Sequence, residues 1–149
     1  MGFFNFLQSN NKQEPKKTLL ITVPEIGRLE YIDSDEMKNR FELRTEDCNP
    51  IIGKNYELLF PSEEPELSQF QIDYYLNFLK NWPTLKAQID ERLKREKKVF
   101  YFRLTFLAIN EQGKYNNEVE MYCSTGKNEF EINLKGNEIL EIDYGNGKY

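Results

Sequence analysis

Only one stretch of this chain, Leu67 to Lys97, carries sustained helical periodicity, and short alternating segments lie on both sides of it. A helical element flanked by strand-like blocks has to bury its apolar face against a sheet, so the chain is expected to fold around this stretch. Ser68-Gln69-Phe70-Gln71 fits a capping box: the Ser68 hydroxyl reaches the amide three residues on, and Gln71 reaches back. Leu67 and Ile72 stand where a hydrophobic staple sits. Ile72, Tyr75, Leu76 and Leu79 then share one helix face, while Phe70, Tyr74 and Phe78 form a second stripe. Trp82-Pro83 interrupts the pattern. Proline is tolerated in a helix's first turn, so Pro83 is expected to start a second helix. That helix carries a narrow stripe of Leu85, Ile89 and Leu93. Asp90 with Lys94 and Glu91 with Arg95 are acid-then-base pairs four apart, and Lys94, Arg95, Lys97 and Lys98 crowd the end where positive charge suits the helix dipole.

The flanking segments alternate with period two. Thr18 to Val23, Arg28 to Asp33, Lys38 to Thr45 and Asn55 to Phe60 precede the helical stretch. Pro24 to Gly27 and Ser34 to Glu36 are turn signals between the first three, and Pro61 and Pro65 end the fourth. After the helices, Val99 to Asn110 is apolar on both faces and is expected to be a central strand covered on two sides. Asn116 to Ser124, Asn128 to Leu134 and Glu138 to Tyr144 follow, joined by Thr125-Gly126-Lys127 and Lys135-Gly136-Asn137, which suit tight hairpins. Val119, Met121, Cys123, Phe130, Ile132 and Leu134 are expected to face the core. The fold class is therefore α+β: a mainly antiparallel sheet of about eight strands with two consecutive central helices. Residues 1–17 read as an N-terminal tail and linker, with Pro15 in a polar run, and residues 18–149 as one domain. Gly145 to Tyr149 is expected to fray.

Composition narrows the function. The 11 Phe and 9 Tyr argue for a folded chain. A net charge of -5 disfavours a nucleic-acid binder, which needs Lys and Arg to displace counterions from phosphates. No apolar run is long enough to span a membrane. Met1 to Leu7 is apolar but lacks a basic start and a cleavage site, and Phe6 breaks a myristoylation motif, so a cytoplasmic location is expected. Cys48 and Cys123 are not in a C-x-x-C pair and are expected to be reduced thiols. The chain has no histidine, which removes the commonest general base and the commonest metal ligand. Ser124-Thr125-Gly126-Lys127 lacks the glycine spacing of a phosphate loop. Trp82 at a helix joint reads as a packing residue rather than a stacking platform. No catalytic residue, cofactor or metal is expected.

Carboxylates remain. Residues 99–149 hold eight acids against five basic residues, a net of -3. Glu118 and Glu120, Glu129 and Glu131, and Glu141 and Asp143 would each share a strand face. Charge alternation on antiparallel strands ordinarily gives a solvated face. The functional alternative is a docking surface for a basic protein, made of Glu118, Glu120, Glu129, Glu131 and Glu141, with Tyr122 as an aromatic anchor. A carboxylate metal or glycosidase site would need acids converging in a concave pocket, which a flat alternating face does not suggest.

The order of elements resembles a group of small bacterial domains that recur among immunity proteins, which neutralise toxins exchanged between bacteria. The resemblance rests on Met1 to Phe6, on Ile26-Gly27-Arg28-Leu29-Glu30-Tyr31, and on the capped helix from Ser68 through Gln71 and Ile72 to Asn81-Trp82. It covers residues 1–97, and it carries over no functional residue. It implies a non-enzymatic inhibitor that binds a cognate toxin directly. A structural or adaptor module, and an enzyme using carboxylates and a divalent metal, are the alternatives.

Overall fold

A computed structural model describes residues 19–114 and 117–149. The expected tail at residues 1–17 lies outside the described residues. The elements are β1 (Leu19–Val23), β2 (Gly27–Ile32), β3 (Arg40–Leu43), β4 (Glu57–Pro61), α1 (Gln69–Lys97), β5 (Arg103–Ile109), β6 (Val119–Ser124), β7 (Glu129–Lys135) and β8 (Glu138–Asp143). The strands form one 8-stranded sheet in the order of the sequence. Every neighbouring pair is antiparallel except β4 with β5, which are parallel. The exception follows from the helix: parallel neighbours need a crossover, and α1 is that crossover. No helix among the described residues is long and apolar enough to cross a membrane.

The expectation of two consecutive helices is wrong. Gln69–Lys97 is one helix of 29 residues with Pro83 inside it. An interior proline loses a backbone hydrogen bond and crowds the preceding turn, at a cost of about 3 kcal/mol. Burial outweighs that. Tyr75, Phe78, Leu79 and Trp82 before the proline, and Leu85, Ile89 and Leu93 after it, are all buried. Each such side chain gains ~1.5–3 kcal/mol on leaving water. Their stripe keeps its phase through Pro83, so breaking the helix would rotate one half away from the core. The capping box forms as expected, with Ser68 as N-cap and Lys98 as a left-handed C-cap at φ 57°. The surface pairs differ from those expected: Lys86 bonds Asp90 at 2.7 Å, and Arg95 pairs with Glu96 at 3.3 Å.

The helix covers one face of the sheet only. That face supplies Leu29, Phe41, Leu58, Phe60, Leu104, Leu107, Met121, Cys123, Phe130 and Ile132, all buried. Trp82 is a packing residue, with Phe78 at 5.4 Å and Phe102 at 6.4 Å between ring centres. Cys48 and Cys123 are both free thiols. The far end of the helix is held by Tyr144, whose hydroxyl donates to Glu96 at 2.7 Å, and by Lys97, which sits over the Tyr144 and Tyr149 rings. The C-terminus is therefore docked rather than frayed. The Tyr149 hydroxyl lies 3.0 Å from the Tyr144 carbonyl oxygen and 3.2 Å from that of Glu129.

The long strand expected from Val99 is shorter. Ending the helix at a left-handed Lys98 turns the chain, and residues 99–102 bring it back to the sheet without pairing. Phe100 and Tyr101 are left 73% and 65% exposed. β5 is central in strand order, but no helix or second sheet among the described residues covers its second face.

Candidate functional site

That second face is where the chemistry collects. Its residues are set by the register of the central and C-terminal strands. Glu57 of β4 stands opposite Phe106 of β5, Phe106 opposite Tyr122 of β6, Tyr122 opposite Glu131 of β7, and Glu131 opposite Asp143 of β8. At the usual interstrand spacing this row runs about 19 Å across the sheet. Its centre is apolar, a Phe106–Tyr122 edge-to-face pair with ring centres 5.7 Å apart. Its ends are acidic. Parallel to it runs a second row, in which Glu42 faces Leu59, Leu59 faces Ala108, and Ala108 faces Glu120.

A β-bulge at Thr105 puts Phe106 there. The register slips between Leu104 and Phe106, so Leu104 and Leu107 both point to the helix while Phe106 points away. The Thr105 hydroxyl donates to the Tyr122 carbonyl at 3.1 Å and steadies the irregularity. Three adjoining depressions meet at Phe106. One of about 410 Å³ is lined by Glu57, Thr105, Phe106, Glu120, Tyr122 and Glu129. Another, of about 480 Å³, opens toward Met37 and Leu43 where the β3–β4 ladder ends. The third, of about 370 Å³, runs toward Asn110.

Charge divides the face in two. On the N-terminal half the acids are matched by arginines. Arg28 bonds Asp47 at 2.8 Å, Arg40 bonds Glu42 at 2.8 Å, and Arg44 approaches Glu30 at 3.5 Å. On the other half, none of Glu57, Glu120, Glu129, Glu131, Glu141 or Asp143 makes an ion pair with a described residue. Tyr122 feels the difference: partial burial first, then the Glu131 and Glu120 charges, push its hydroxyl pKa up.

The structure places the sequence candidates unevenly. Glu120, Tyr122 and Glu131 lie together at the centre of the open face. Glu129 stands opposite Ser124 beside them. Glu141 pairs with Asn133 on the outer ladder, two strands from Tyr122. Glu118 stands one residue before β6, and its charge acts on Tyr74 of the helix. Burial, and then Glu118, raise the Tyr74 hydroxyl to about 12. Three contributors were missed in the sequence: Glu57, Phe106 and Asn110. Glu57 and Phe106 meet only because the helix brings β5 beside β4. Period-two alternation marked Glu57 as outward, but the bulge hid the direction of Phe106.

Among the described residues no three acidic or thiol side chains converge as metal ligands. The carboxylates are spread over β4, β6, β7 and β8 of an open surface. No family model, no curated protein and no solved structure matches this chain.

Proposed function

We propose that this chain is a non-enzymatic cytoplasmic binding protein of the immunity type, which neutralises a cognate bacterial toxin by docking a basic surface of it on the open sheet face. The observation that carries the reading is the row Glu57–Phe106–Tyr122–Glu131–Asp143, an aromatic pair between acids that have no cationic partner among the described residues. Aromatic anchors supply buried contact area, and unmatched charge of one sign steers a partner of the other. On the N-terminal half the strand acids Glu30 and Glu42 are matched by arginines, so the unmatched strand acids stand on the side of the aromatics.

The test is co-expression with the product of the neighbouring gene, under conditions where that product alone arrests growth. Growth restored by the intact chain, and lost again with Glu120→Lys plus Glu131→Lys in a variant that remains folded, supports the reading. Failure of the intact chain to restore growth overturns it. Association that is indifferent to both charge reversal and salt would overturn the acidic-face version.

A self-assembling structural or adaptor module is the second reading, and one feature favours it. The edge strand β1 leaves Leu19 and Leu20 41% and 52% exposed. Sizing chromatography separates the two: a concentration-dependent oligomer, lost with Leu20→Lys, supports assembly.

A further inference from the structure

The depression beside Asn110 has the chemistry of a socket for one side chain. Asn110 follows β5 directly and is 1% exposed. Its amide nitrogen donates to the Asn117 carbonyl at 2.7 Å. Its amide oxygen has no partner among the described residues. A buried acceptor without a donor is costly, and native structures rarely leave one unless something else supplies the proton. The walls around it are apolar: Met37, Leu59, Phe106 and Ala108. Two carboxylates, Glu36 and Glu120, stand on the lining, and neither makes an ion pair with a described residue. Lys38 and Arg40 border the β3 side, where the Arg40 guanidinium is held by Glu42 at 2.8 Å and by the Lys38 carbonyl at 3.2 Å.

We infer that this socket takes the lysine or arginine side chain of a protein partner, the aliphatic stem lying along Met37, Leu59 and Phe106 and the cationic head reaching Asn110 and Glu120. The inference rests on the reading of the open face as a docking surface for a basic protein, and it names the group that surface grips. The complementarity is specific. The Asn110 oxygen and the Glu36 and Glu120 carboxylates are acceptors, the Arg40 donors are already engaged by Glu42 and the Lys38 carbonyl, and lysine and arginine carry donors alone. Both bury an apolar stem while presenting a charged tip. An anion would meet Glu36 and Glu120, and an uncharged aliphatic group would leave the Asn110 oxygen unpaired. At about 370 Å³ the depression admits a side chain but not a folded element.

The test is an amide-resolved NMR titration of the full chain with three blocked pentapeptides, Gly-Ala-X-Ala-Gly, where X is lysine, arginine or norleucine, and with spermidine. The expected result is saturable shifts at Ala108, Asn110 and Glu120, including the Asn110 side-chain amide, for the two cationic peptides. Norleucine should bind about ten-fold more weakly, and Glu120→Gln should weaken the cationic peptides by about the same factor. Glu91→Gln, on the exposed side of α1 and so across the sheet from the socket, should leave them unchanged. Equal binding of the norleucine peptide, no saturable shift, or indifference to Glu120→Gln would overturn the socket. Tighter binding of spermidine than of either cationic peptide would overturn the protein source in favour of a free polyamine. The two readings fail separately. Growth rescue by a chain whose socket takes no peptide sinks the socket alone, and peptide binding without rescue sinks the immunity role alone.

Discussion

Gln71 is a polar side chain with no exposed surface, and it holds the seam of the fold together. Its amide nitrogen donates to the Pro61 and Ile109 carbonyls, both at 2.8 Å, at the ends of the two parallel strands. Its oxygen accepts from the Ser68 amide and hydroxyl. The capping-box spacing made Gln71 legible as a cap, but not as a clasp, because Pro61 and Ile109 meet only after the crossover has formed. Replacing it with an apolar residue of similar size strands two buried carbonyls, each at about 1–3 kcal/mol. Gln71→Leu is expected to lower unfolding stability by about 2–4 kcal/mol, read by urea denaturation. Asp47 is a second residue whose role the sequence hides. It accepts from the Arg28 backbone amide at 2.7 Å and from the guanidinium at 2.8 Å, beside Gly27. At Gly27 φ is 126°, and a Cβ would come within 2.8 Å of the Asp47 Cβ, so only glycine lets the carboxylate this close. Hydrogen bonds from Arg28 lower the Asp47 carboxyl from 3.8 to about 2. A depressed carboxyl stabilises the fold above its unfolded value, and that contribution is lost as pH falls from about 4 through about 2. Asp47→Asn should be less stable at neutral pH and lose less on acidification, measured as urea midpoints at about pH 5 and about pH 2.5.

The helix shows what a local rule misses at the scale of an element. Trp82-Pro83 is a strong local break signal, and taken alone it predicts a joint. The longer pattern argues otherwise, since Phe78, Trp82, Leu85 and Ile89 continue one stripe across the proline with spacings of four, three and four. Phase continuity was present in the sequence, and burial of that stripe outweighs the lost hydrogen bond. Pro83 itself faces solvent, so its ring contributes no core contact. Pro83→Ala should therefore restore the missing bond without disturbing packing and raise stability by about 1–3 kcal/mol, seen as a higher thermal midpoint. A true joint between two helices would give no gain. The eight strands were legible because period-two alternation is local and each turns one face toward the core, even the edge strand β1 with its half-buried Ile21 and Val23. The Thr105 bulge was not, because in a strand apolar on both sides an inserted residue leaves no mark on the pattern.

At the scale of the whole molecule, half of the site was legible and half was not, for one reason. Glu120, Tyr122 and Glu131 come from strands joined by a hairpin, so alternation and a short turn suffice to place them together. Glu57, Phe106 and Asn110 join them only through a sheet closed across a long helix. The assembled face carries like charges in direct opposition, Glu131 against Asp143, with no arginine between them. On the other half of the same face, Glu30 and Glu42 also oppose each other, but Arg44 and Arg40 attend them. Like charges directly across a ladder are destabilising, by about 0.2–1 kcal/mol. A chain shaped by stability alone would have placed a cation there, as it did on β2 and β3. Glu131→Gln should therefore make the free protein more stable by about 0.2–1 kcal/mol, with the gain shrinking as salt screens the repulsion. The same substitution should weaken capture of the basic partner proposed above and slow its association at low salt. Stability and binding moving in opposite directions at one carboxylate is the signature of a surface kept for a partner. Were Glu131→Gln to leave both unchanged, the acidic row would be only a solvated sheet face.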